Sequence, residues 1–150
     1  MPNRRRAQRT KGRSTAQEAM VSVLVLAGRI EQALSDVCAG YGITHDQYNV
    51  LRILRGVYPD GHPRYEIAAR LISRAPDVTR LLDRLEREGL IERVRSPDDR
   101  RLSLSRITEE GLTLLDALDP DILAVHERFA KPLSQADRRE LQRLCSKATE

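Results

Sequence analysis

The chain is predicted to be mainly α-helical with one small β-hairpin, and three observations carry that reading. Hydrophobic residues make up 40% of the 150 residues, but aromatics only 3%, with no Trp. A core of Leu, Ile, Val and Ala favours packed helices over an aromatic-rich sandwich. Apolar residues recur at steps of three and four through most of the chain, the period of an amphipathic helix. The exception is 90–107, where two short runs flank the turn Pro97-Asp98-Asp99-Arg100-Arg101, as in a hairpin. The length suits one domain with a real core.

The elements follow in order. Residues 1–14 hold Arg4, Arg5, Arg6, Arg9, Lys11 and Arg13, no acid and no apolar periodicity, and are expected to form a flexible basic arm. From Thr15 to about Cys38 a helix carries the stripe Ala16, Met20, Val23, Ala27, Ile30, Leu34 and Val37, widened by Ala19, Leu26 and Ala33. That is more apolar surface than one small helical lobe needs, so a partner helix is implied, from this chain or from a second subunit. Gly40 and Gly42 end the segment. Thr44-His45-Asp46-Gln47 has capping-box form and opens a second helix with Tyr48, Leu51 and Leu54 inward. A loop spans 56–63. A short third helix runs from about Arg64 to Leu71, with Ile67, Ala68 and Leu71 inward.

A turn over 72–75 leads to Pro76, expected at the first position of a fourth helix that ends at Glu88. Val78, Leu81, Leu82 and Leu85 form its buried stripe, and Gly89 stops it. Strands are expected at 90–95 and 102–107. Thr108 caps a fifth helix carrying Leu112, Leu115, Leu118, Ile122, Val125 and Phe129, with Glu109 and Glu110 in its first turn. Pro120 is expected to kink or restart it, with Asp119 as a local cap. Ser134 to Asp137 opens a sixth helix with Leu141 and Leu144 inward.

Charge narrows the function classes. The net charge is +4, but 15–63 and 107–150 are net acidic, and the excess lies in 1–14 and 64–106. A cationic region of this kind suits a polyanion. Two cysteines, Cys38 and Cys145, are read as packing residues and make no disulfide scaffold. The most apolar run, Ala19 to Ala27, is too short to span a bilayer, so a soluble cytoplasmic protein without a membrane partner is expected. His45, His62 and His126 are scattered, without metal-ligand spacing. No phosphate-binding glycine loop or Gly-x-Ser-x-Gly is present. An enzyme, a cofactor and a metal site are therefore not expected.

The chemistry concentrates between Arg74 and Thr108. Asp77, Arg80, Arg84 and Arg87 fall at steps of three, four and three, on the face opposite the leucines. Arginines so placed can read guanine or bind phosphate. The same spacing also allows a plain surface helix laced by Asp83–Arg87 and Arg84–Glu88 pairs. A supporting third helix and turn favour the first reading. The hairpin tip adds Arg100 and Arg101, with Arg95 and Asp99 beside them. An arginine can enter a narrow minor groove if a carboxylate holds its side chain, and Asp99 lies two residues from Arg101. Helix and hairpin together read as a winged helix-turn-helix.

The run Asp99-Arg100-Arg101, followed by Ile107-Thr108 and Gly111, resembles the wing signature of the MarR family of bacterial transcription regulators. The segment from Thr79 to Arg93 resembles that family's recognition-helix run. The match in element order covers about 15–148, although the sharp motifs occupy only 79–111. Two departures stand out: Ile72, where the family often has a small turn residue, and Pro76-Asp77, which replaces a small hydroxyl pair.

The resemblance implies a homodimer in which helices 15–39 and 109–148 form the dimerisation region and 44–108 the DNA-binding lobe. It implies that Asp99 orients Arg101 for the minor groove and that the fourth helix reads the major groove of a pseudo-palindromic double-stranded operator. Arg74, Asp77, Thr79, Arg80, Arg84, Arg95, Asp99, Arg100 and Arg101 are then the expected contact residues. It further implies a repressor released by a small, often aromatic or phenolic, anion bound between dimer helices and DNA-binding lobe. Tyr41, Tyr48, Arg52, His62 and Arg29 are candidates to line that crevice. Two alternatives stand beside this reading: a regulator switched by cysteine oxidation, and a winged helix that binds another protein.

Overall fold

The computed structural model describes residues 12, 14–72 and 77–150. It contains six helices and one antiparallel hairpin, in the order α1 (Thr15–Gly40), α2 (His45–Arg55), α3 (Arg64–Arg70), α4 (Val78–Arg87), β1 (Ile91–Arg95), β2 (Ser103–Ile107), α5 (Glu109–Ala130) and α6 (Gln135–Thr149). The expected fold class is present. The arm lies almost wholly outside the described residues, as do Arg74 and Pro76. No helix among the described residues is long and apolar enough to cross a membrane.

Local capping sets most of the helix starts. Ser14 and Gln17 form a capping box on α1, Thr44 and Gln47 on α2, Ser134 and Asp137 on α6. Each pair satisfies two backbone N–H groups that the first turn leaves without partners. At the end of α1, Gly42 adopts φ +78°, a conformation that costs other residues energy. The helix runs on through Gly40, and the Tyr41 hydroxyl bridges to Asp121 (2.6 Å) and Ala117 O (3.1 Å) on α5.

The core forms where α2 crosses the second half of α1 and the first half of α5. Leu34, Cys38, Val50, Leu51, Leu54, Leu115 and Leu118 meet there, joined by Ile67, Leu82 and Leu85 from the lobe. Each such side chain contributes about 1.5–3 kcal/mol by leaving water. The inward face of α2 is wider than its leucines suggest, because Gln47 and Asn49 are buried too.

Several expectations are corrected. Ala68 is exposed, since α3 has room to bury only Ile67 along its two turns. Helix α5 passes through Pro120 without restarting. Its buried stripe (Leu115, Leu118, Ile122, Val125) runs across the proline, so packing on both sides offsets the lost hydrogen bond. Asp119 is therefore not a cap; it takes a forked pair of bonds from Arg55 on α2, at 2.5 and 3.3 Å. Leu141, Leu144 and Cys145 are exposed, and α6 buries no residue within this chain. The first half of α1 is also uncovered, with Leu24 69% exposed.

The hairpin is tied to both neighbours. Ile91 pairs with Ile107 and Arg95 with Ser103 across the ladder. The 56–63 loop adds a bridge from His62 to Ser105 on the other side of β2. Thr108 serves two elements at once: its hydroxyl donates to Gly89 O (2.7 Å) and accepts the Gly111 N–H (3.2 Å). Gly111 sits so close to the hairpin that an added Cβ would strike Leu90 O and lie 2.6 Å from the Ile107 side chain. The Ile107-Thr108…Gly111 motif is thus the joint between wing and α5. Gly111→Ala is expected to cost about 1–3 kcal/mol through overpacking, read as a lower urea midpoint; an unchanged midpoint would show that the joint is soft.

Candidate nucleic-acid interface

Helix α4 begins at Val78, later than expected, because Asp77 is its N-cap. The Asp77 carboxylate accepts the Arg80 N–H at 3.0 Å. That leaves Asp77 engaged at the helix start, with Arg80 Nε 4.0 Å away and the Arg80 side chain 89% exposed. Thr79, Arg80, Arg84 and Arg87 are all exposed. Arg84 pairs with Glu88 at 3.2 Å, as the plain surface-helix alternative allowed.

The Asp83–Arg87 pair that a plain surface helix would allow does not form among the described residues. Asp83 is drawn instead to Arg93 on β1, which also holds Glu86 at 2.7 Å. One arginine on the strand thus collects two acids of α4 on the wing side. Arg87 is left without an ion pair among the described residues. Arg93 was not among the expected site residues, yet it fixes α4 against the wing. Its only sequence signal was its place on a strand adjoining a helix rich in acids. Glu92 and Arg106 make a further cross-strand pair at 2.6 Å.

The wing tip is a compact turn, and within it Asp99 bonds backbone. Buried Ser96 accepts the N–H groups of Asp98 and Asp99, both at 3.3 Å. The Asp99 carboxylate accepts the backbone N–H of Arg101 at 3.0 Å. Among the described residues it makes no ion pair with the Arg101 guanidinium. Two residues apart in a turn, the backbone N–H is the nearer donor, as in an Asx-turn. Asp99 therefore orders the tip backbone from which Arg100 and Arg101 project. Arg95 is drawn inward as well: its Nη1 donates to Arg100 O at 2.8 Å, so it braces the turn.

A second feature lies between the lobe and the long helices. A cavity of about 730 Å³ is lined by Ile30, Glu31, His45, Tyr48, Arg52 and His126, among others. His45 and Tyr48 stack with centroids 6.1 Å apart. Burial holds the His45 imidazole below and the Tyr48 phenol above their ordinary ranges, which favours the neutral form of each. Of the residues expected here, Tyr48 and Arg52 line the cavity. Tyr41 is engaged with α5, His62 lies against β2, and Arg29 borders a separate hollow beside Phe129. Cys38 is fully buried, and burial raises its thiol to about 11.

A short helix supporting a capped, arginine-faced helix, followed by a braced hairpin, defines a winged helix-turn-helix. Comparison with known proteins places it further. The model of the MarR family matches residues 43–103. A MarR transcription factor from Planctomyces limnophilus is 36% identical, with 89% of this chain aligned to 97% of that one at a TM-score of 0.68. The transcriptional regulator MhqR of Bacillus subtilis is 29% identical over 65% of this chain and 66% of its own length, just under two thirds. A mutant MarR of Escherichia coli, solved in complex with operator DNA, shares the fold at 22% identity, with 89% and 94% covered and a TM-score of 0.79. The chain belongs to the MarR family, whose matched members are transcription regulators, not enzymes.

The altered role of Asp99 has a direct check. Asp99→Asn keeps an acceptor for the Arg101 N–H and should leave that amide protected from hydrogen exchange; Asp99→Ala should speed its exchange severalfold, since a net hydrogen bond is worth about 0.5–1.5 kcal/mol. Equal exchange in both variants would mean the carboxylate does not order the tip.

Proposed function

We propose that this chain is a sequence-specific, double-stranded-DNA-binding transcription regulator that works as a homodimer, as a repressor released by a small ligand. The observation that carries the DNA reading is the exposed arginine face of α4 beside a braced wing that leaves Arg100 and Arg101 free. Arg80 and Arg84 are assigned to the major groove with Thr79, and Arg101 to the minor groove. Arg74 remains a candidate contact outside the described residues. Asp77, Asp99 and Arg95 are assigned to positioning, because each is committed to backbone within the lobe.

The dimer reading rests on apolar surface. Met20, Leu24, Leu123 and Leu144, on three helices, are all about half exposed or more, and large apolar side chains left to water in this number suit a surface that a partner covers. Residues 15–39 and 109–148 are therefore assigned to dimerisation and 44–108 to DNA binding. Two such lobes suit half-sites one helical turn apart, roughly 34–36 Å. The basic arm 1–14 adds charge for phosphate contact.

The ligand reading rests on the 730 Å³ cavity. Stacked His45 and Tyr48 suit a planar ring, and Arg52 suits an acidic group. His45, Tyr48 and Arg52 all lie on α2, whose first turn adjoins α4. The cysteine-switch alternative is weakened by Cys38, since a buried thiol held near 11 is a poor nucleophile at neutral pH.

The test is binding to duplex fragments recovered by genomic footprinting. Arg101→Ala should weaken binding at least about tenfold, near 1.4 kcal/mol; unchanged affinity in a folded protein would remove the wing from the interface. Deleting residues 1–14 should flatten the dependence of affinity on salt while keeping sequence preference. A shift in preference would instead make the arm a reader of bases.

A further inference from the structure

We propose that the groove between the first turn of α2 and helix α4 seats one backbone phosphate of the bound duplex. The inference rests on the DNA-binding reading above and adds a contact site to it. The groove, about 530 Å³, is lined by Thr44, Asp46 and Gln47 from α2 and by the arginine face of α4. Three features of different origin meet there, and each calls for an oxyanion.

The first is the start of α2 itself. Thr44 takes the Gln47 N–H at 3.1 Å, leaving earlier N–H groups of the turn free to face an anion at the positive end of the helix. The second is Gln47. Its Oε1 accepts the Thr44 N–H at 2.9 Å, while its Nε2 has no partner among the described residues although Gln47 is only 1% exposed. A buried amide donor without an acceptor is uncommon, and Gln47 is one of the residues that line the groove. The third is charge. Arg87 has no ion pair among the described residues, and Arg84 uses its Nε on Glu88, keeping its other nitrogens.

Two acids share the groove. Asp77 is committed to capping α4. Asp46 faces the groove as a counter-charge and must weaken whatever anion sits there. A duplex docked on the arginine face of α4 brings its backbone to this wall. A phosphate held there carries no sequence information but fixes how the recognition helix lies in its groove.

The test uses the full chain, a mixed-sequence duplex and salt titration between about 50 and 200 mM. Arg87→Gln, at an exposed position that does not threaten folding, should lower the slope of log affinity against log salt by about 0.9, one phosphate. Gln47→Glu, which keeps the reciprocal cap but adds a carboxylate to the groove lining, should lower it similarly. Asp46→Asn should tighten binding, and all three should shift specific and mixed-sequence duplexes by the same factor. An unchanged slope in folded Arg87→Gln overturns the proposal while Arg101→Ala still tests its parent. A loss confined to one sequence overturns it too, by making the groove a reader of bases. If inorganic phosphate alone stabilises the protein through Arg87 while duplex slopes stay the same, the seat belongs to a free anion and the proposal fails. A wild-type chain that binds no duplex at low salt sinks both readings.

Discussion

The constraint on which the rest depends is the apolar surface that this chain cannot bury by itself. Helix α6 has fifteen residues and buries none of them, and the first half of α1 leaves Met20, Val21, Val23, Leu24 and Val25 exposed. An isolated helix of that length is marginal in water, and its stability must come from packing its apolar face. The core is concentrated elsewhere, where α2 meets α1 and α5. One end of the molecule is therefore self-sufficient and the other requires cover. In our account a second copy supplies it, and the spacing of the two lobes then depends on how the long helices meet.

Within the lobe, a few polar joints hold α4 and the wing as one piece. Arg93 gathers Asp83 and Glu86, Thr108 links Gly89 to the start of α5, and Gly111 permits the close approach of α5 to the hairpin. These surface ion pairs add little stability individually. Their effect is directional: drawing the acids of α4 toward β1 leaves its arginines facing outward. Arg55 and Asp119 join α2 to α5 in the same manner. A ligand beside Tyr48 and Arg52 would act on a helix already coupled to both lobe and frame.

Local features were legible in the sequence. The capping residues Thr44, Thr108 and Ser134, the leucine stripes and the hairpin turn each depend on neighbours within a few positions, and they appear where expected. What was not legible depends on partners far along the chain. Asp119 looked like a cap because Arg55, 64 residues away, could not be seen from its neighbourhood. The spacing allowed Asp83 to pair with Arg87 one turn on, but Arg93 on the strand competes better. Pro120 continues α5 because tertiary packing outweighs local propensity. Asp99 bonds the Arg101 backbone N–H, not its guanidinium, because in a turn the backbone donor is the nearer one. The burial of Gln47 and Asn49 had no pattern to announce it.

The most direct test of the central claim is sedimentation of the purified chain at micromolar concentration, alone and with a duplex it binds. The account predicts two protomers in both cases, with both on one duplex. A folded monomer that keeps α6 helical, or one protomer per duplex, would contradict it.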